Sequence, residues 1–349
     1  MLNFCTLFDI NYFSRGIAMY ESLKKHCNDF HLYIFAFDET SLDILNKLKL
    51  PKTTIISLSE FENNELLEIK TERSRAEYCW TCTPSTIFFC IEQYKLDHCT
   101  YVDADLYFYS NPRVLIDEMG DKSVLITEHR YTPEYDQSLT SGIYCVQFIT
   151  FKNTIDGITV LKWWKNACIE WCYARFENGK FGDQKYLDDW TTRFNDIHVL
   201  MNEGGSLAPW NIQQYKIKSI NPFILKTLKT KEKIKPVFYH FHYLSFYSNK
   251  KINLTNGIYY ISSEIKHYFY YPYLNHINKI NKELYKDFNS KDFNGTKEMI
   301  FTIYYLRDKL YLYRKALFKL SIKAFKDANK LIKEKKQVRK NIINSGKIN

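Results

Sequence analysis

The first 60 residues switch back and forth between strand-like and helix-like hydrophobic patterning, and this alternation restricts the fold more than any other feature of the chain. Residues 2–8 (Leu2 to Phe8) form a continuous apolar, β-prone run, broken by the turn-forming Asp9-Ile10-Asn11-Tyr12. Over residues 14–25, Ile17, Tyr20, Leu23 and Lys24 recur at helical spacing. Ser14 is placed to cap the start, and basic residues lie at the far end, where the helix dipole favours them. Residues 31–37 read as a second strand ending at Asp38-Glu39, residues 41–48 as a short helix before Pro51, and residues 53–58 as a third strand. Strand, helix, strand, helix, strand implies right-handed crossovers and a parallel sheet in an α/β fold.

A chain of 349 residues accommodates one large α/β domain with an appendage as readily as two domains. With 28 Tyr and 25 Phe against 11 Gly and 8 Pro, it has the makings of a packed core rather than of a disordered chain. It contains no apolar run of about 18 residues, the length that a membrane span requires. Met1-Leu2-Asn3-Phe4-Cys5 lacks the basic-then-apolar layout of a signal peptide, so a cytoplasmic location is expected. The nine cysteines, odd in number and scattered, read as reduced buried thiols. Cys79-Trp80-Thr81-Cys82 has no second such pair at zinc-site spacing and is assigned to packing.

Two carboxylates lie one residue apart in the apolar stretch Tyr101-Val102-Asp103-Ala104-Asp105-Leu106-Tyr107-Phe108. Residues i and i+2 of a strand share a side, so Asp103 and Asp105 can converge on one point, or fan around an ion if the strand breaks there. Two hard oxygen ligands with room left for water and phosphate suit Mg²⁺ or Mn²⁺. Taken alone, the pair reads first as a solvated turn or a helix cap. Its placement adds weight, because ligands of open α/β sheets bind beyond the carboxyl ends of strands, where both this pair and the 9–12 turn fall.

Further along, residues 83–94 read as a buried helix with Pro84 at its start, residues 123–127 as a strand, and residues 131–140 as a polar loop. Residues 142–151 are β-rich, with Gln147 among apolar neighbours, and residues 159–176 read as a helix with a core-facing aromatic stripe. Gly182-Asp183-Gln184 sits at a helix N-terminus, where capping explains Asp183 but not Gln184. Residues 237–243 read as a strand with His240 and His242 on one face. Such histidines are usually structural, and a divalent site short of a nitrogen ligand raises their functional weight. Residues 251–299 are polar and show no clear pattern. From Glu298 to about Asn341, Ile303, Leu306, Leu310, Tyr313, Leu317, Leu320, Ala324 and Ala328 keep the 3–4 spacing of a long helix.

In this order, the motifs resemble those of nucleotide-sugar glycosyltransferases of the GT-A fold, of the glycogenin and lipopolysaccharide galactosyltransferase type. The resemblance spans about residues 2–245. It runs through Asp9-Ile10-Asn11-Tyr12, the Asp-x-Asp motif Asp103-Ala104-Asp105, Gly142-Ile143-Tyr144, Gly182-Asp183-Gln184, Ala208-Pro209-Trp210-Asn211 and Tyr239-His240-Phe241. It implies a Rossmann-like mixed sheet flanked by helices with a C-terminal helical extension: a catalytic domain over 1–250, an extension over 251–299 and a basic helix over 300–349. It further implies that Asp103, Asp105 and His240 bind Mn²⁺ or Mg²⁺, with His242 in reserve. Nucleotide contacts fall to Thr6, Leu7, Phe8, Asp9, Asn11, Tyr12, Arg75, Asp103 and Ala104, Asp9 accepting from the base and Tyr12 stacking on it. Gln184 is placed near the reacting anomeric carbon, and Asp183 on sugar or acceptor hydroxyls. The chain departs from the pattern where relatives carry an Arg before the metal strand. Here that region reads Trp80-Thr81-Cys82-Thr83, leaving Arg73 or Arg75 to substitute. It departs again at Cys145 and Gln147, which puts the donor sugar in question.

The implied activity is metal-dependent transfer of a sugar, from a UDP-sugar or related donor, to a saccharide or glycolipid acceptor of a bacterial-type surface glycan. Residues 300–349 hold 14 Lys and Arg against three acids, whereas residues 1–299 hold 35 basic and 36 acidic groups. A basic amphipathic tail of this kind suits an anionic inner-leaflet surface, with packing on the catalytic domain or on a second subunit as the bland alternative. A reading of a different class is an inactive scaffold whose tail binds nucleic acid through Lys and Tyr. A nucleotidylyltransferase is disfavoured by the absence of a Gly-rich phosphate loop near the first strand.

Overall fold

The computed structural model describes residues 1–288 and 292–298. The helix expected from Glu298 to Asn341 lies, beyond its first residue, outside the described residues, as does the 300–349 segment. Met1–Lys297 forms one compact unit, so residues 251–288 and 292–297 pack with the body of the chain.

Among the described residues the strands, in chain order, are β1 (Leu2–Phe8), β2 (Phe30–Ala36), β3 (Thr53–Ser57), β4 (His98–Val102), β5 (Leu106–Phe108), β6 (Val124–Glu128), β7 (Tyr144–Lys152), β8 (Ile197–Val199), β9 (Tyr215–Ile220), β10 (Phe223–Thr227), β11 (Lys233–Ile234), β12 (Phe238–His240), β13 (Ser245–Phe246) and β14 (Ile252–Asn253). Seven of them form one sheet in the order β3-β2-β1-β4-β7-β6-β8. β7 runs antiparallel to β4 and β6, and the remaining pairs are parallel, so the sheet is mixed. Leu2, Phe4 and Phe8 of β1 face one apolar layer while Cys5 and Leu7 face the other. Burial on both faces is why this strand reads as an unbroken apolar run. The helices Phe13–His26 and Tyr271–Phe288 supply the first layer, and Arg75–Tyr94 and Ile155–Glu170 the second. This is the helix-flanked mixed sheet that the GT-A resemblance implies. No helix among the described residues is long and apolar enough to cross a membrane.

Several local readings are corrected. Ser14 is not the cap of the first helix, because a 3₁₀ turn capped by Asp9 precedes it and the buried Ser14 hydroxyl bonds Asn281 instead. The helix expected over 83–94 starts at Arg75, where Ser74 and Glu77 form a capping box. Pro84 therefore sits inside it, and the Thr83 hydroxyl bonds the Cys79 carbonyl at 3.3 Å in the turn that precedes the proline. The helix placed over 159–176 spans Ile155–Glu170, begun by the Thr154 hydroxyl and ended where Trp171 becomes extended. The strand placed over 237–243 stops at His240, and Tyr243 adopts a left-handed backbone with φ +64°. Within the unassigned 251–299 stretch, the helix Tyr271–Phe288 buries Tyr273, Leu274, Ile277, Ile280 and Leu284.

Outside the main sheet, β12 pairs antiparallel with β5 and sets His240 opposite Leu106. Gly204 holds the chain that enters β12, since its carbonyl accepts from Val237 N at 2.8 Å. A Cβ there would stand 2.1 Å from the Lys235 carbonyl oxygen, a backbone atom with no rotamer to yield. Gly204→Ala is expected to lower stability by about 3 kcal/mol through overpacking; an unchanged urea unfolding midpoint would refute this account of the strand entry.

Candidate active site

The backbone turns immediately after β4, with Leu106 N donating to Asp103 O at 3.2 Å. Asp103 and Asp105 therefore fan from a turn rather than alternate along a strand. β12 delivers the third group from across the β5 pairing: His240 Nε2 lies 3.1 Å from Asp105 Oδ1 and 3.7 Å from Asp103 Oδ2. One ligand atom from each of the three residues falls within 4.8 Å of the others. Burial pushes the Asp103 carboxyl up to about 7, with His240 opposing and Asp105 adding to the rise. Burial acts the same way on Asp105, but its contact with His240 outweighs it and holds that carboxyl below its ordinary range. Burial opposes the charged form of His240, whose affinity is nevertheless raised by Asp105 and Asp103. Burial and the neighbouring His240 drive His242 down to about 3, keeping it neutral. Two carboxylates and an imidazole gathered this closely fit a small divalent cation, the oxygens suiting Mg²⁺ or Mn²⁺ and the nitrogen suiting a transition metal.

The turn after β1 forms the adjoining wall. Asp9 Oδ1 accepts from Asn11 N at 2.8 Å and Tyr12 N at 3.2 Å, which fixes the turn, and Oδ2 pairs with Arg75. Arg75 also reaches Asp38 Oδ2 at 3.0 Å. Of the two arginines considered for the missing family position, Arg75 lines the cavity, while Arg73 is buried elsewhere against Tyr173 and the Ile169 carbonyl. Tyr12 is 44% exposed, and the buried Arg15 guanidinium lies 4.4 Å from its ring centroid. Arg15 donates to the carbonyls of Asn11, Leu244 and Asn294 at 2.9–3.0 Å, tying the turn to two distant segments.

Asp103, Ala104, Asp105, His240, His242, Asp183, Gln184, Arg75, Leu7, Phe8, Asp9, Asn11 and Tyr12 all line one cavity of about 540 Å³. Thr6 does not; it is buried within β1. Asp183 is 6% exposed, and burial, with the Asp103 charge adding, pushes its carboxyl up to about 8. The Trp164 indole N–H donates to its carbonyl at 2.9 Å. Gln184 is anchored through Nε2 to the Ser141 carbonyl at 2.7 Å. The sequence reading missed the aromatic walls, Trp80 and Phe181 among them, together with Tyr131, Trp210, Tyr243 and Tyr259. The Ala208-Pro209-Trp210-Asn211 motif proves to be a brace: Trp210 Nε1 and Asn211 Nδ2 both donate to the His129 carbonyl at 2.8 Å.

The chain is 30% identical over 261 residues to the uncharacterized protein YfnD of Bacillus subtilis strain 168, an alignment covering 72% of this chain and 81% of YfnD. The chain belongs to the YfnD family. The chain is also similar to the uncharacterized protein YfnF of the same organism, at 28% identity over 302 residues, covering 83% of this chain and 98% of YfnF. No family model matches. Among solved structures, the chain is similar to the apo form of the bifunctional glycosyltransferase WbbM, at 12% identity and a TM-score of 0.49. That match covers 83% of this YfnD-family chain and 52% of WbbM, so the chain spans about half of WbbM's length.

The brace formed by Arg15 leads to a prediction. Lysine keeps the charge but cannot reach three carbonyls from three segments, so Arg15→Lys should cost about 2 kcal/mol in urea unfolding, since buried acceptors lose their donors. A loss below the error of the measurement would show that the turn is held without it.

Proposed function

We propose that this chain is a metal-dependent glycosyltransferase acting on a nucleotide-diphosphate sugar, a UDP-sugar in the first instance. The observation that carries the reading is that Asp103, Asp105 and His240 open onto the same cavity as the 9–12 turn and the Asp183-Gln184 pair. In this reading the exposed face of Tyr12 stacks the base, and Arg75, on the rim beside it, meets the diphosphate. Asp103, Asp105 and His240 hold Mn²⁺ or Mg²⁺, which when bound supplies Lewis-acid stabilisation of the leaving diphosphate. Transfer breaks the bond from the anomeric carbon to the phosphate oxygen and forms one to an acceptor hydroxyl oxygen, releasing the nucleoside diphosphate and the hydroxyl's proton. Gln184, fixed by Ser141, is set to orient the sugar, and Asp183 to hydrogen-bond its hydroxyls or those of the acceptor. The aromatic walls offer apolar faces against which saccharide rings pack. We assign the acceptor to a surface-type saccharide or glycolipid.

The test is a donor screen that follows nucleoside diphosphate release with Mn²⁺, with Mg²⁺ and with EDTA. Release in the presence of Mn²⁺ should fall to background with EDTA, and Asp103→Asn or Asp105→Asn should lower it by about 100-fold or more, the share expected of a Lewis-acid metal. Turnover that survives both substitutions would remove the metal from the mechanism.

The charge of residues 300–349 supports a peripheral membrane location, because each basic residue near an anionic surface contributes about 1 kcal/mol. The full chain should co-sediment at low salt with phosphatidylglycerol-containing vesicles but not with neutral ones, and a chain lacking 300–349 should stay in the supernatant. Equal sedimentation of the two chains would assign the charge another purpose.

A further inference from the structure

Gln147 is fully buried in β7 between Val146 and Phe148. Its backbone carbonyl accepts from Asp103 N at 3.1 Å, and its side-chain Oε1 lies 2.9 Å from His240 Nδ1. One residue of a third element therefore touches two members of the Asp103, Asp105, His240 group. The β6–β7 ladder pairs Leu125 with Thr150 but Thr127 with Cys145, and Gln147 falls inside that irregular stretch. The other half of the amide is unsatisfied, as Nε2 is buried without a partner. An unpaired buried donor destabilises a fold, so packing alone gives no reason for a glutamine at this position.

We propose that Gln147 is a positioning residue for the divalent-cation site, holding His240 as the tautomer protonated on Nδ1 so that the Nε2 lone pair faces the space between Asp103 and Asp105. The inference rests on the metal-dependent reading given above. A neutral imidazole offers one lone pair, and the hydrogen bond made by the other ring nitrogen decides which atom carries it. Asp105 alone would favour the opposite tautomer, with Nε2–H donating to Oδ1 at 3.1 Å and no lone pair available to a cation. An acceptor at Nδ1 opposes that arrangement. The same residue's carbonyl fixes Asp103 on the other side of the site, and no side-chain substitution at 147 removes that contact.

The test compares Gln147→Met, which keeps the length and removes both the acceptor and the orphan donor, with Gln147→Glu, which keeps an acceptor. In EDTA, the unfolding midpoint of the Met variant should stay near that of the wild-type chain, because removal of the unpaired donor offsets the partner lost at His240 Nδ1. Its Mn²⁺ affinity, read from the electron paramagnetic resonance of free Mn²⁺, should fall about 10- to 100-fold, the usual effect of losing such a partner. The nitrogen coupling of a bound imidazole should vanish from its Mn²⁺ spectrum. The Glu variant should retain that coupling and bind within about threefold of wild type, since a carboxylate also orients a ligating histidine. Because Gln147 acts through His240, Gln147→Met combined with His240→Ala should bind Mn²⁺ no more weakly than His240→Ala alone. Wild-type affinity and coupling in the Met variant, or additive losses in the double variant, would overturn the proposal while leaving the metal site standing. Should the Met variant not fold, Gln147→Leu carries the same comparison. A wild-type chain that binds no Mn²⁺ would sink the metal-dependent reading, and the positioning role with it.

Discussion

Asp103, Asp105 and Asp183 line one cavity; the Asp105 charge opposes ionisation of Asp103, and the Asp103 charge opposes that of Asp183. Burial, with that repulsion added, lifts Asp103 to about 7 and Asp183 to about 8. His240, 3.1 Å from Asp105, supplies part of the compensation. A divalent cation would supply more than any neighbouring dipole and would reverse the local preference for protonated carboxyls. The requirement for positive charge at this point explains why so much of the chain converges on it.

The convergence is a product of topology. Parallel β1 and β4 place the 9–12 turn and the Asp103-Ala104-Asp105 turn at the same edge of the sheet. β7 runs the opposite way beside β4, which lets a mid-strand residue, Gln147, reach behind the Asp103, Asp105 and His240 group rather than end at it. β12 pairs with β5, so the approach of His240 is set by a register three residues long. Asn211 closes the arrangement, bonding the His129 and Ser206 carbonyls at 2.8 and 2.7 Å while its Oδ1 accepts from Ala208 N at 3.0 Å. A side chain with all of these bonds made in the interior is a rigid support, and it lets the aromatic walls hold their places.

What the sequence revealed follows from the range of the interactions. The alternation of the first 60 residues and the placement of Asp9, Asp103 and Asp105 at strand ends are local properties, and they were legible. His240 was found through a motif, but its approach to Asp105 depends on pairing across more than 130 positions of chain, beyond any periodicity. Gln147 was noticed as a polar residue in an apolar run and no more, since its partner lies 93 residues away. Arg15 drew no attention because a basic residue near the start of an amphipathic helix reads as solvated. Its partners at Leu244 and Asn294 are 229 and 279 residues distant. Pro84 misled in the opposite sense: a strong local start signal outweighed the Ser74-x-x-Glu77 capping box, which marked the true start. The Tyr271–Phe288 helix was hidden by its Asn and Lys content, although Leu274, Ile277, Ile280 and Leu284 keep helical spacing.

The geometry at Asp9 adds a condition to the donor reading. Asp9 Oδ1 is committed to the two backbone amides of its own turn, and Oδ2 faces Arg75 and, at 3.4 Å, Asn11 Nδ2. Little acceptor capacity remains for the edge of a nucleobase unless Arg75 withdraws. Arg75 is 55% exposed in its side chain, and ion pairs of that kind hold by about 1 kcal/mol or less. A diphosphate offers the guanidinium a doubly charged partner with matching geometry, which is the stronger bond. Drawing Arg75 toward the phosphates would free Asp9 Oδ2 for the base in the same step. On the proposed donor reading, binding at the turn would be an exchange of partners, and recognition of the base would be coupled to recognition of the diphosphate through a single arginine.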